Sequence, residues 1–200
     1  MKEKVIKEET INEYKGLLRL LITEAILIFF ILITRNYVMC PAVVHGESMN
    51  PSLEDRQMIL ASKINYLLDE PERFDIALIH NLEFYDGCIV KRVIGLPGET
   101  VRIDETGTIY INGEVLEENY GYEPMKAAGI AAEEITLGEG EYFVLGDNRN
   151  HSADSRTEFI GIIKREQFLA EGIEIVFRKT IRFKMQSWTN LTDLLYKSEL

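Results

Sequence analysis

Hydrophobic and polar positions change rhythm once along the chain, at Pro41. Residues 17–39, LLRLLITEAILIFFILITRNYVM, hold 17 apolar or aromatic side chains in 23. A helix of that length rises roughly 34 Å, enough to cross a hydrocarbon core of about 30 Å. After Pro41 the pattern becomes short runs rich in β-branched and aromatic residues, at 41–44, 58–62, 75–80, 88–96, 100–103, 108–111, 141–145 and 173–177. Turn formers separate them: Leu96-Pro97-Gly98, Ile111-Asn112-Gly113, and the pair Gly138 and Gly140. Asn112-Gly113 between two alternating runs predicts a hairpin. No period of about 20–50 residues recurs, which excludes solenoids and propellers.

The pattern predicts a mainly β, antiparallel domain behind one N-terminal transmembrane helix. Residues 1–16 precede the anchor, 17–39 form it, 40–177 form the β-rich domain and 178–200 a tail. Within the domain, 117–139 is acidic and alanine-rich without a period and reads as an irregular excursion from the sheet. Residues 167–172 read as a short helical turn or a loop. The tail is basic over 178–184 and amphipathic beyond, and reads as a solvated end, with contact to the membrane surface as the alternative.

Lys2, Lys4, Lys7, Lys15 and Arg19 precede the apolar stretch, whereas Arg35 is the one basic residue close behind it. The positive-inside rule then keeps the N-terminus in the cytoplasm and carries the rest across. A removable signal peptide would need a small-residue cleavage site after the apolar core, and TRNYVMCP offers none. A buried core helix stays open as an alternative, because the longest uncharged run, 25–34, has ten residues. Glu24 inside a bilayer costs up to ~3 kcal/mol. That cost places it near the cytoplasmic face, protonates it, or pairs it with another helix. Cys40, at the outer interface, reads as an apolar filler or a reactive thiol.

Charge removes one class of function. The 200 residues carry a net charge of -11, whereas nucleic-acid binding needs clustered Lys and Arg. Two cysteines, Cys40 and Cys88, are too few for a disulfide scaffold, and His45, His80 and His151 are too scattered for a local metal motif.

Three segments carry candidate chemistry. In VVHGESMNPSL, a strand run leads through Gly46 to Ser48, with Pro51 just behind, so the serine sits in a tight non-helical turn. Such a turn exposes a hydroxyl and aims backbone N–H groups at a developing oxyanion, although Gly-x-Ser-x-x-Pro alone is more often only a turn. A histidine triad has no sequence support, though the geometry leaves it open. Lys91 lies among Ile89, Val90, Val93 and Ile94, and alternation puts Ile89, Lys91 and Val93 on one face. An amine against hydrocarbon loses basicity. A base working near pH 7–8 needs a drop of roughly 2–3 units; the ordinary alternative is a snorkelling strand lysine. The third segment, 142–156, ends an apolar strand at Gly146 and then crowds Asp147, Asn148, Arg149, Ser152, Asp154, Ser155 and Arg156 together. A surface loop has this composition, and so does the polar support that holds a site rigid.

Together the stretches GESMNPSL (46–53), RFDIALI (73–79), VKRVIGLPGE (90–99) and GDNRNHSADSR (146–156) resemble type I signal peptidase, the membrane-bound Ser/Lys endopeptidase that removes signal peptides. They follow the family's order behind an N-terminal anchor and span roughly residues 17–177. Size and single anchor are similar to the short Gram-positive form. The resemblance implies a signal-peptidase-like antiparallel β-sheet catalytic domain, with Ser48 as nucleophile and Lys91 as general base. It implies that the Ser152 hydroxyl orients the amine and that Asp154 and Arg156 form a supporting ion pair. Asp147, Asn148 and Arg149 belong to the same supporting loop, and Arg92 is structural. Some members place a hydroxyl two residues before the nucleophile; here that position is Gly46, which leaves the backbone N–H of Ser48 as the oxyanion donor. Glu47 is expected to point to solvent.

The same resemblance implies exported preproteins as substrates, cut after small residues at the first and third positions. These residues would enter shallow apolar pockets formed by strands near Ser48 and at 76–79. It implies no metal or organic cofactor, membrane lipid as surroundings, no nucleic acid, a monomer, and a cell-membrane location with the catalytic domain outside. Two other readings stand beside it. A repressor-cleaving Ser/Lys autoprotease would pair such a domain with a DNA-binding helix-turn-helix, where this chain has an apolar helix. A membrane-anchored binding module would have lost Ser48 or Lys91, and both are present.

Overall fold

The computed structural model of the chain describes residues 2–80, 82 and 87–173, and for 2–13 and 173 the backbone alone. Helix α1 (Lys2–Ile33) runs into a π-helical turn at Thr34–Val38. It begins well before the 17–39 expected from the pattern. The apolar stretch Tyr14–Val38 is long enough to cross a membrane, and none of it is buried in the protein. Thr23 and Thr34 return their hydroxyls to the carbonyls of Arg19 and Phe30, both at 2.8 Å, which hides two polar groups along the helix. Glu24 is exposed on it.

The turn feeds directly into the β domain. Its larger sheet contains β1 (Met39–Val43), β2 (Met58–Ser62), β3 (Ile76–Ile79), β4 (Ile89–Gly95), β9 (Glu141–Leu145), β10 (Ile163–Lys164) and β11 (Phe168–Ile173). The strand order is β1-β2-β11-β3-β4-β9-β10, antiparallel throughout. A smaller sheet, ordered β7-β6-β5-β8, holds β5 (Thr100–Ile103), β6 (Ile109–Ile111), β7 (Glu114–Val115) and β8 (Ile135–Thr136). Its strands β6 and β7 form the expected hairpin, with Asn112 at φ 53° and Gly113 at φ 80°. A short helix, α2 (Lys63–Leu68), follows β2.

Burial follows the pleat where one face is wet: Val101, Ile103, Ile109 and Ile111 point inward in β5 and β6 while their neighbours do not. In β4 every residue from Lys91 to Gly95 is buried, as expected for a strand covered on both faces. Three apolar clusters result. One joins the small sheet to Ile94, Phe143 and Leu145; one packs Ile79, Val93, Tyr142 and Phe168. The third gathers Val44, Met49, Leu53, Ile59 and Leu78 under the Ser48 turn.

One expected element is corrected. Residues 168–173 form a strand at the centre of the larger sheet, between β2 and β11's other neighbour β3, where a helical turn or loop was expected at 167–172. A register shift between Phe168 and Ala170 interrupts the period of two. Gly172 adds a break that looks like a turn signal but reflects close packing, since a Cβ there would stand 3.1 Å from Ile76. The excursion at 117–139 is largely irregular, apart from a 3-10 turn at Gly129–Ala132 and β8. The strand expected at 173–177 beyond Ile173, and the tail 178–200, lie outside the described residues.

Leu53, 1% exposed, ties the Ser48 turn to this core. Leu53→Ala is expected to destabilise the domain by about 2–5 kcal/mol, measured as a lower midpoint in denaturant.

Candidate active site

Ser48 owes its place to its neighbours. Val44 hydrogen-bonds across to the loop end, with its N–H on the Gln57 carbonyl (2.9 Å) and its carbonyl taking the Arg56 N–H (2.8 Å). Within that closed loop Met49 and Leu53 are buried, and the Leu53 N–H donates to the Met49 carbonyl at 2.9 Å. Gly46 adopts φ 88°, a conformation that suits a residue without Cβ, and its N–H donates to Asp55 Oδ1 at 2.8 Å. The loop after β9 grips the turn from outside: Asn148 donates its N–H to the Ser48 carbonyl (3.0 Å) and its side-chain amide to the Glu47 carbonyl (3.1 Å). Glu47 itself is exposed. Among the described residues the Ser48 N–H meets no backbone acceptor.

Lys91 stands in the middle of β4, opposite Ala77 of β3. It is 4% exposed. Its amine donates to Ser48 Oγ at 2.9 Å and to the Val90 carbonyl at 3.0 Å. Burial drives its pKa down to about 8, while the negative charges of Asp154 and Asp147 pull the other way. Of the two bases the sequence left open, the lysine is the one in contact with the serine. His45 and His151 are exposed and His80 lies at the end of β3.

Those two aspartates are themselves covered and paired. Asp147 forms a two-pronged ion pair with Arg92, from Nε at 2.8 Å and Nη2 at 2.7 Å. Asp154 does the same with Arg156, both prongs at 2.8 Å. Both carboxylates are 0% exposed. Arg156 continues to the carbonyls of Ala127 (3.1 Å) and Arg149 (2.5 Å), and Arg149 Nε donates to the Gly146 carbonyl at 3.0 Å. Gly146 is required by closeness: a Cβ would lie 2.5 Å from the Ser48 carbonyl oxygen and nearer still to Ser152 Oγ.

The structure thus gathers Ser48, Lys91, Asp147, Asn148, Arg149, Asp154 and Arg156 in one region. Ser152 is there too, but its buried Oγ has no hydrogen-bond partner, and the contact to the Lys91 amine that the resemblance implies is not formed. Ser52, whose hydroxyl accepts from Arg92 Nη2 at 3.2 Å, and Asp55 were missed in the sequence, where each is one polar loop residue among many. Cys40 packs with the third cluster, and burial pushes its thiol pKa up, so of its two readings the apolar filler fits.

Beside Ser48 and Lys91 two backbone edges are open among the described residues. Strand β1 pairs only with β2, and β4 pairs with β9 only from Arg92 onward. Ala42, Ile76 and Val90 are partly exposed on the cluster that holds Met49, whereas Ala77, Leu78 and Ile79 are buried.

Residues 17–177 match the family described as signal peptidase, peptidase S26. A signal peptidase I S of Bacillus subtilis is 31% identical over 170 residues, covering 81% of this chain and 90% of its own length. A probable signal peptidase I-2 of Synechocystis is 36% identical over 143 residues, covering 68% of this chain and 62% of its own. A crystal structure of a signal peptidase I from Enterococcus faecalis is 35% identical, with 52% of this chain and 97% of that one covered and a TM-score of 0.42.

The buried amine has a consequence for stability. With a folded pKa of about 8 against 10.5, the unfolded chain binds more protons between those values, so Lys91 makes stability rise with pH there. Below about pH 8 it costs about 3 kcal/mol. Lys91→Met is expected to melt higher than the parent protein at pH 7, with the gap narrowing from about pH 8 to 10.5; equal midpoints across that range would contradict this.

Proposed function

The chain belongs to the signal peptidase family, peptidase S26, and from that premise we propose that it is a membrane-bound endopeptidase that removes signal peptides from exported preproteins, with Ser48 as nucleophile and Lys91 as general base. The observation that carries this is the 2.9 Å contact between Ser48 Oγ and an amine 4% exposed. At a pKa of about 8, roughly a tenth of the amine is neutral at pH 7 and half at pH 8. Neutral Lys91 accepts the Ser48 proton as Oγ attacks the scissile carbonyl, and the ammonium then returns it to the leaving amine. The acyl-enzyme is hydrolysed by a water that loses its proton to the same amine. The backbone N–H of Ser48 faces the developing oxyanion. Ser152 Oγ, unpartnered in the free protein, is available to orient Lys91 once substrate is bound, and the two Arg–Asp pairs keep the surrounding loop rigid.

Substrate would enter as an extended strand between the open edges of β1 and β4. Main-chain hydrogen bonds would set its register, and alternate side chains would reach the surface made by Ala42, Ile76 and Val90. That surface is shallow and apolar, which favours small residues at the first and third positions before the cut. The enzyme acts as a monomer, without metal or organic cofactor. Its anchor, with four basic residues ahead of it and Arg19 near its start, keeps the N-terminus in the cytoplasm and the site at the outer face, in contact with membrane lipid.

Purified full-length protein in detergent or lipid is expected to cut a preprotein after a small-x-small site. Ser48→Ala and Lys91→Ala are each expected to lower kcat by about 1000-fold or more. In the parent enzyme kcat/KM should rise with pH through about 8 as Lys91 loses its proton. Undiminished cleavage by Lys91→Ala would remove the proposed base.

A further inference from the structure

The acidic excursion at 117–139 does not stay on the surface. Its first residues cross the loop that supports the dyad: three of them touch that loop, and a fourth, Tyr120, covers Arg92. Glu118 pairs with Arg149 at 2.7 Å and takes the Tyr120 N–H on its other oxygen at 2.8 Å. Arg92 Cζ lies over the Tyr120 ring, 3.8 Å from its centroid, and the Phe74 ring packs tilted against Tyr120 with centroids 5.2 Å apart. Gly121 packs on Arg149, where a Cβ would be 3.5 Å from Nη1. The Tyr122 N–H donates to the Asp147 carbonyl at 3.0 Å. Burial opposes the charge on Glu118, but the hydrogen bond and charge of Arg149, with the N–H groups of Tyr120 and Gly121, outweigh it and hold the carboxyl below its usual range.

Arg92 follows Lys91 on β4, so the pleat sends the two side chains to opposite faces. Its edges are already taken by Asp147, by the Phe74 carbonyl at 2.7 Å and by Ser52. The Tyr120 ring sits against the guanidinium in a cation–π contact, which strengthens when water is excluded. We propose that residues 118–122 are a strap on the far face of β4, with Tyr120 as a positioning residue that holds Arg92 on Asp147 and so sets the field in which Lys91 works. This rests on the reading of Lys91 as the base. The charged groups acting on its amine are Asp154 and Asp147; Arg156 neutralises the first and Arg92 the second, and Glu118 with Arg149 fixes the strap beside them. Without the ring, water reaches Arg92, its pairing loosens, and the less compensated Asp147 favours the ammonium form.

The test is kcat/KM against pH for the full-length enzyme and for Tyr120→Leu, Tyr120→Gln, Tyr120→Phe and Lys91→Ala, with melting curves for each. The leucine and glutamine variants are expected to move the acid limb upward by about half a pH unit or more and to regain parental activity at high pH. Tyr120→Phe, which keeps the ring, should retain the parental profile. A uniform loss at every pH, or an unmoved limb in both folded variants while Lys91→Ala is inactive, would overturn the strap alone. Activity in Lys91→Ala would instead overturn the base on which it rests.

Discussion

An amine kept out of water is the constraint around which this domain is organised. Lys91 sits on a strand buried along most of its length, and that burial is what lowers its basicity to a pKa of about 8. The cost falls on folding, and the surrounding structure is arranged to bear it. Ala77 opposite leaves room for the long side chain, and the Ser48 hydroxyl and the Val90 carbonyl satisfy two of its hydrogen-bonding positions.

The same constraint explains the arginines. Asp147 and Asp154, buried beside the lysine, would undo its low basicity if they stood alone. Each instead faces a guanidinium in a two-pronged pair. Removing one partner of such a pair strands a charge and costs about 3–5 kcal/mol, so the pairs also make the loop stiff. That stiffness reaches the Ser48 turn through Asn148, whose two hydrogen bonds hold the backbone of Glu47 and Ser48.

Much of this was legible in the sequence, and the limits are physical. The β2, β5 and β9 ranges agree between pattern and structure, and β5 and β9 are framed by clear turn residues. Lys91 stood out because a lysine in an apolar run contradicts its surroundings, whereas Ser48, in an ordinary turn, was legible only through the motif it shares with the family. Strand β11 was misread because a register shift and Gly172 break its alternation. Helix α2 has no periodic signal over six residues. The contacts made by Glu118 and Tyr120 are long-range, joined to Arg149 and Arg92 by folding alone, and the irregular segment that bears them offers no local cue. Ser152 shows the reverse case: motif position brought it to the site, yet its hydroxyl stands unpartnered.

The central claim, that the fold lowers the basicity of one lysine in contact with Ser48, is open to direct titration. Protein labelled with 13C at lysine Cε can be followed by NMR across the alkaline range, with Lys91→Met to identify the signal. A single resonance, absent from the variant and titrating near pH 8, is the result the account predicts. A Lys91 resonance titrating at about 10 or above, with the exposed lysines, would contradict it.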